Sequence, residues 1–287
     1  SVGHVFQVGH QPPSVHLIRC VPSKITKLSA VDDIIVEEQS MISNLKGYNL
    51  WSIYNSNYFV GNDINNFKKL MDRYGGDVAA IVMEPIRNFK PSEDFFPTIR
   101  KYAKKYNSVF IVDEISSGFR LKTGGAHLTL NIEPDLAVFS KGLGNGYPIA
   151  AIIGKKRIMK AAEETFLSST NWTERVGPTA ALAMINKHKA NNVSQHLQNL
   201  GKIIQQGWKT LSETHNLDIK VSGIYPMSNL IFQNKNSLSI RAFFVQEMLK
   251  NNILAGQQFY SMYSHTINHT QQYLNAVDES FNKIRIA

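Results

Sequence analysis

The chain has one cysteine, Cys20, in 287 residues. A lone thiol excludes an internal disulfide framework and agrees with a reducing compartment, where it reads as a small buried group. Long apolar runs are missing as well. No stretch approaches the roughly 20 residues a membrane-spanning helix needs, and the first residues lack the regions of a signal peptide. These absences predict a cytoplasmic protein with no membrane partner. Charged residues are only 18% of the chain, against 43% hydrophobic and 10% aromatic, which excludes disorder over most of its length. Acids are in deficit, 22 against 31 Lys and Arg, for a formal net charge of +9. The excess is scattered in pairs such as Lys68-Lys69, Lys104-Lys105 and Lys155-Lys156, with no aromatic-interleaved stripe. That is the pattern of solvated helix faces, not of a nucleic-acid surface.

What the sequence does have is concentrated between Val109 and Ala151. Residues 109–112 and 136–139 are short β-branched or aromatic runs that predict buried strands. The first ends on Asp113-Glu114 and the second on Ser140-Lys141. Gly142-Leu143-Gly144-Asn145-Gly146-Tyr147-Pro148 then interrupts regular structure. Ligands of open α/β sheets sit beyond the carboxyl ends of the strands, so this carboxylate and this amine are expected to face one crevice. Lys141 is either a cation that snorkels to water or an amine used as a reagent. Asp113 is either a helix N-cap or a ligand group, and Glu114 reads as a solvated first-turn acid.

The rest of the chain frames that stretch. Residues 1–55 carry no assignable chemistry: His4, His10 and His16 have no metal-ligand spacing, and residues 31–38 with 41–45 predict a helix. Asp63 is expected to cap a helix reaching Tyr74, with Ile64, Phe67, Leu70 and Met71 on one face. Residues 78–83 predict a buried parallel strand leading into Glu84-Pro85, and Pro97 is expected to start the next helix. Strand, helix and strand with about 30 residues between strands is the crossover unit of a parallel sheet. A further strand is expected at 149–153, and helices at 158–164 and 178–188, the latter preceded by the hydroxyl-rich segment 168–175. A hydroxyl beside free helix N–H groups is a ready anion site. Helices at 193–211, 243–250 and 270–284, with strands near 219–221 and 230–232, predict a small α+β domain. His127 reads as a surface loop histidine. His265 and His269 lack the acid of a metalloprotease helix and read as exposed helix-start residues.

Val112-Asp113-Glu114-Ile115 with Gly118-Phe119-Arg120, then Pro134-Asp135-Leu136-Ala137-Val138-Phe139-Ser140-Lys141-Gly142 and Gly146-Tyr147-Pro148, together resemble the cofactor-lysine signature of class III aminotransferases. These are fold type I enzymes dependent on pyridoxal 5′-phosphate (PLP), and the wording is nearest the glutamate-1-semialdehyde aminomutase-like branch. The likeness covers roughly residue 62 to the C-terminus. It implies an α/β fold, a mostly parallel sheet in a three-layer sandwich followed by a small C-terminal α+β domain. The expected divisions are 1–55 as a divergent or truncated segment, 56–188 as the large domain and 189–287 as the small one.

By the same resemblance Lys141 carries PLP as an internal aldimine, Asp113 holds the pyridine nitrogen, Ile115 packs beneath the ring and Glu84 lies beside the cavity. Thr173 reaches the phosphate of the neighbouring subunit's cofactor, which implies a homodimer with shared active sites. The implied activity moves an amino group from a small-molecule donor to a carbonyl acceptor. An aminomutase, which moves the group within one molecule, is an alternative, as is a truncated non-catalytic scaffold, since residues 1–58 match none of the family's N-terminal motifs. A nucleotide-binding loop at Gly142–Gly146 has the wrong spacing, GxGxG and not GxGxxG.

Overall fold

The computed structural model describes residues 14–19, 56–60, 64–86, 91–164 and 174–286. The helix expected within 31–45, Cys20, His4, His10 and Thr173 lie outside the described residues. The chain divides into two compact units, one reaching Ile185 and the other built mainly from Asn186 onward, with Phe119–Thr123 added to it.

The first unit is organised on a six-stranded sheet. Its strands are β1 (Ser14–Arg19), β2 (Ser56–Val60), β3 (Val78–Met83), β4 (Val109–Asp113), β5 (Leu136–Phe139) and β6 (Ala151–Gly154), in the spatial order β2-β1-β3-β4-β5-β6. The central β3, β4 and β5 are parallel, as their unbroken apolar runs predict. On one side β1 pairs antiparallel with β2 and β3, and on the other β6 pairs antiparallel with β5. The β1–β2 pair falls where no strand was expected; both strands are short. β6 begins at Ala151, two residues past the expected start, since Pro148 and Ile149 belong to the loop that follows Lys141.

Two helices, α1 (Ile64–Tyr74) and α2 (Phe95–Lys105), cover one face of this sheet. Phe67 and Met71 of α1 and Phe95, Phe96, Ile99 and Ala103 of α2 close on Val78, Ile81, Met83, Phe110 and Val112. Burying each of the larger side chains contributes about 2 kcal/mol. Val82 and Ile111, paired in register, point to the opposite face and are buried too. Pro97 is the third residue of α2, not its first; in the first turn its missing N–H has no helical partner to lose. Beyond β6 come the short α3 (Lys156–Met159) and then α4 (Val176–Ala190), which runs into the second unit.

One carboxylate ties these elements together. Asp135, 1% exposed, accepts both guanidinium nitrogens of Arg100 from α2 at 2.7 and 3.1 Å and the Phe110 amide of β4 at 3.0 Å. Lys155 and Arg157, just past β6, add contacts at 3.1 and 3.5 Å. Burial by itself would raise the Asp135 carboxyl, but Arg100, the Phe110 amide and Lys155 outweigh it and hold the group at about 2.

The second unit packs α5 (Val193–Thr214), α6 (Ser237–Lys250) and α7 (Ile267–Ile286) with an antiparallel sheet of β7 (Ile219–Ser222), β8 (Met227–Phe232) and β9 (Gln258–Tyr260). Ile204, Trp208, Leu230, Phe232, Phe244, Met248, Tyr273, Val277 and Phe281 form its core. The Trp208 indole donates to the Tyr273 hydroxyl at 3.2 Å, so neither polar tip is stranded, and burial pushes that phenol above its ordinary range. The helix α6 starts six residues before the expected boundary, because exposed Leu238 breaks the apolar pattern of its first turn. On its inner face Glu247, 1% exposed, binds Lys250 and Lys283, which lower its carboxyl below the usual carboxylate range.

Two measurements follow. The Asp135 carboxyl is depressed in the folded chain, so its stabilisation is present above about pH 4 and is lost as pH falls through about 2. In urea unfolding Asp135→Asn is expected to cost about 2 kcal/mol at neutral pH, with wild type and variant converging between pH 4 and pH 2. In α5, a Cβ added at Gly201 would sit 1.7 Å from the Tyr225 carbonyl oxygen. Gly201→Ala is expected to lower stability by about 1–3 kcal/mol in the same assay.

Candidate active site

The parallel register decides which residues meet. Met83 of β3 pairs with Val112 of β4, and Asp113 pairs with Val138 of β5. Glu84 and Asp113 therefore leave neighbouring strands side by side, and Lys141 follows three residues beyond Val138 at the same end of the sheet. This is the edge at which a parallel sheet presents loops to a ligand.

At that edge the chain turns back through a tight turn, 114–118, closed by the Gly118 amide donating to the Glu114 carbonyl at 2.8 Å. Asp113, half-buried, accepts from the Ile115 amide at 2.8 Å and so caps the turn. Ser116, buried at 8% exposure, receives the Lys141 ammonium: Nζ donates to its Oγ at 2.8 Å. Lys141 itself is exposed and has φ of 39°, a left-handed conformation that costs a side-chain-bearing residue about 1 kcal/mol. Non-glycine residues held this way cluster at functional sites. The loop after it is fixed by Leu143 N to Ser140 O, Asn145 N to Lys141 O and Tyr147 N to Gly144 O, and the Ser140 hydroxyl donates to Ile149 O at 3.0 Å. Gly144 is required there, since a Cβ would lie 2.1 Å from the Tyr147 carbonyl oxygen.

Glu114 is not the solvated acid its position predicted. It is fully buried, and four donors converge on it. The Ser117 hydroxyl at 2.7 Å and the Ala126 amide at 2.9 Å reach Oε2; the His127 amide at 2.7 Å and His127 Nδ1 at 2.6 Å reach Oε1. His127, expected on the surface, is buried at 8% exposure for the same reason. A carboxylate without a proton only accepts, so Nδ1 carries the hydrogen in this contact. Neither residue has a sequence signal of its own. The one hint was Gly124-Gly125 before His127: at Gly125 a Cβ would fall 2.1 Å from His127 Nδ1 and 2.6 Å from Glu114 Oε1.

Of the residues expected to act, Asp113, Ile115 and Lys141 are thus gathered on one strand-end edge. Glu84, half-buried, stands in the adjacent strand register. Thr173 is outside the described residues. The N-terminus of α4, expected to offer N–H groups to an anion, gives them to its own side chain: Glu174 accepts from Val176 N at 2.6 Å and Gly177 N at 2.9 Å. That helix start abuts the lysine loop, for a Cβ on Gly177 would lie 2.9 Å from the Pro148 carbonyl oxygen. His265 and His269 accept the amides of Met262 and Thr266 with Nδ1 at the entrance to α7. Among the described residues no cluster of His, Cys, Asp or Glu can hold a metal ion, and no helix is long and apolar enough to cross a membrane.

Comparison with known proteins gives the family and the fold. The family model for class III aminotransferases matches residues 42–264. Over 215 residues the chain is 30% identical to 2'-deamino-2'-hydroxyneamine transaminase of Streptomyces kanamyceticus, covering 74% of this chain and 54% of that protein. Over 251 residues it is 28% identical to glutamate-1-semialdehyde 2,1-aminomutase of Clostridium beijerinckii, covering 79% and 58%. Among solved structures, the PLP internal aldimine form of the Sphingopyxis sp. MTA144 FumI protein superposes with a TM-score of 0.79 at 24% identity, over 83% of this chain and 59% of that one. The fold is therefore that of the fold type I transaminases. The chain spans a little over half the length of the curated relatives it matches. With a family model matching most of its length, this chain belongs to the class III aminotransferase family.

Proposed function

We propose that this chain is the lysine-bearing part of a PLP-dependent aminotransferase that moves an amino group from a small-molecule donor to a carbonyl acceptor. The observation that carries the reading is the pairing of β4 with β5, which sets the Lys141 amine and the Asp113 carboxylate at one sheet edge with Ser116 holding Nζ. The donor set fits the cofactor: a primary amine suits an aldehyde, and a carboxylate suits a protonated ring nitrogen. The bound cofactor would supply that aldehyde and an electron-accepting ring.

Each residue then has a task. Lys141 Nζ would hold the cofactor through its aldehyde and, once freed by the amino donor, would act as the base for a 1,3-proton shift that starts at the carbon bearing the amino group. Ser116 gives the freed amine a fixed resting place. Asp113, oriented by the Ile115 amide, would accept from a protonated ring nitrogen, and Ile115 would pack below the ring. Thr173 would serve the phosphate of a partner subunit's cofactor in a homodimer, Glu84 would border the cavity, and the enzyme would work in the cytoplasm. The aminomutase reading is supported by the glutamate-1-semialdehyde 2,1-aminomutases among the relatives. It differs in that donor and acceptor carbons belong to one molecule.

Titration with PLP, borohydride reduction and peptide mass mapping test the reading. An adduct is expected on Lys141 and absent from Lys141→Ala, and Asp113→Asn is expected to slow turnover by about 10²-fold or more. Adducts spread over exposed lysines, equal in wild type and Lys141→Ala, would overturn it. Measuring whether the donor's product is a separate keto compound or an isomer separates transaminase from aminomutase.

A further inference from the structure

The buried pair Glu114–His127 takes no direct part in the reading above, yet four hydrogen-bond donors converge on its carboxylate. Leaving a carboxylate unpaired in the interior costs several kcal/mol, and here four donors surround it. The four come from two segments that the sequence separates: Ser117 in the turn after β4, and Ala126 and His127, the latter twice, in the segment before β5. The main chain of Glu114 is engaged as well. Its amide donates to the Val138 carbonyl of β5 at 2.8 Å, and its carbonyl accepts from Gly118. Ser116, whose hydroxyl holds Lys141 Nζ, thus lies inside a turn closed on both sides by Glu114, once through its carbonyl and once through its carboxylate on Ser117.

We infer that Glu114, locked by His127, is a positioning residue for Lys141: it fixes the turn that aims the Ser116 hydroxyl at Nζ. The inference rests on the reading of Lys141 as the reactive amine. The geometry supplies the coupling path, Glu114 to the 114–118 turn to Ser116 Oγ to Nζ, with the last step at 2.8 Å. His127 acts one step further out, because its Nδ1–H and its amide hold one oxygen of the carboxylate while Ser117 and Ala126 hold the other. A Gln at position 127 retains both an amide N–H and a side-chain donor, whereas Phe retains only the amide.

The test is competitive acylation of the cofactor-free chain with acetic anhydride, read by peptide mass at Lys141 and, as an internal reference, at exposed Lys104. The Ser116 oxygen favours the protonated amine, so its loss frees Lys141 to react. Ser116→Ala is expected to speed labelling of Lys141 about fivefold at fixed pH, the size of one lost hydrogen bond, with Lys104 unchanged. Glu114→Gln and His127→Phe are expected to shift Lys141 in the same direction, His127→Gln to restore it, and Glu114→Gln to add nothing once Ser116 is Ala. Ser117→Ala, which keeps the buried carboxylate, serves if Glu114→Gln does not fold. Folded variants that melt lower but label Lys141 as wild type does would overturn the inference, as would additive effects of Glu114→Gln and Ser116→Ala. Because labelling needs no cofactor, failure of PLP to attach to Lys141 in the wild-type chain is a separate result that overturns only the functional reading.

Discussion

The parallel pairing of β4 between β3 and β5 is the constraint on which the site depends. Parallel neighbours end on the same side, so whatever follows each strand is delivered to a common edge without further design. Three short apolar strands, each too buried to carry function, hand over Glu84, Asp113 and Lys141 in order. The helices α1 and α2 keep the central strands dry on one face, and the inward Val82 and Ile111 do so on the other. Chemistry-bearing residues are left only where the strands run out.

A second theme is the use of acids in a basic chain. Three carboxylates, Glu114, Asp135 and Glu247, are almost fully buried among the described residues, and each gathers several donors. Asp135 joins α2, β4 and the chain past β6; Glu247 joins α6 to α7; Glu114 joins the end of β4 to the approach to β5. Each of these junctions links segments that apolar packing alone would leave free to slide, since dispersion contacts do not select a direction whereas hydrogen bonds do.

The strands 78–83 and 136–139, and most helices, were legible because their apolar spacing is local and uninterrupted. The Lys141 loop was legible because glycines cluster only where the backbone needs them. Glu114 and His127 were not, since their burial is created by a long-range meeting that no local window records, and a charged residue after a strand is ordinarily solvated. Boundaries slipped where a rule met an exception: exposed Leu238 hid the first turn of α6, and Pro97 marked the first turn of α2 but not its first residue. The β1–β2 pair was invisible because two strands this short, far apart in the sequence, are defined by a pairing that no local window records.

The left-handed backbone positions have a consequence for the state the chain folds from. Eight non-glycine residues have positive φ among the described residues, and six of them are asparagines: Asn107, Asn131, Asn145, Asn192, Asn216 and Asn252. Most of them follow directly on a helical turn, where glycine is the commoner residue. Asparagine reaches the same conformation while leaving the disordered chain fewer alternatives than glycine would. Six such choices reduce the entropy of the unfolded ensemble at the points where helices must stop. Part of the stability of this protein therefore resides in what its denatured chain cannot do, and no contact in the folded structure displays it.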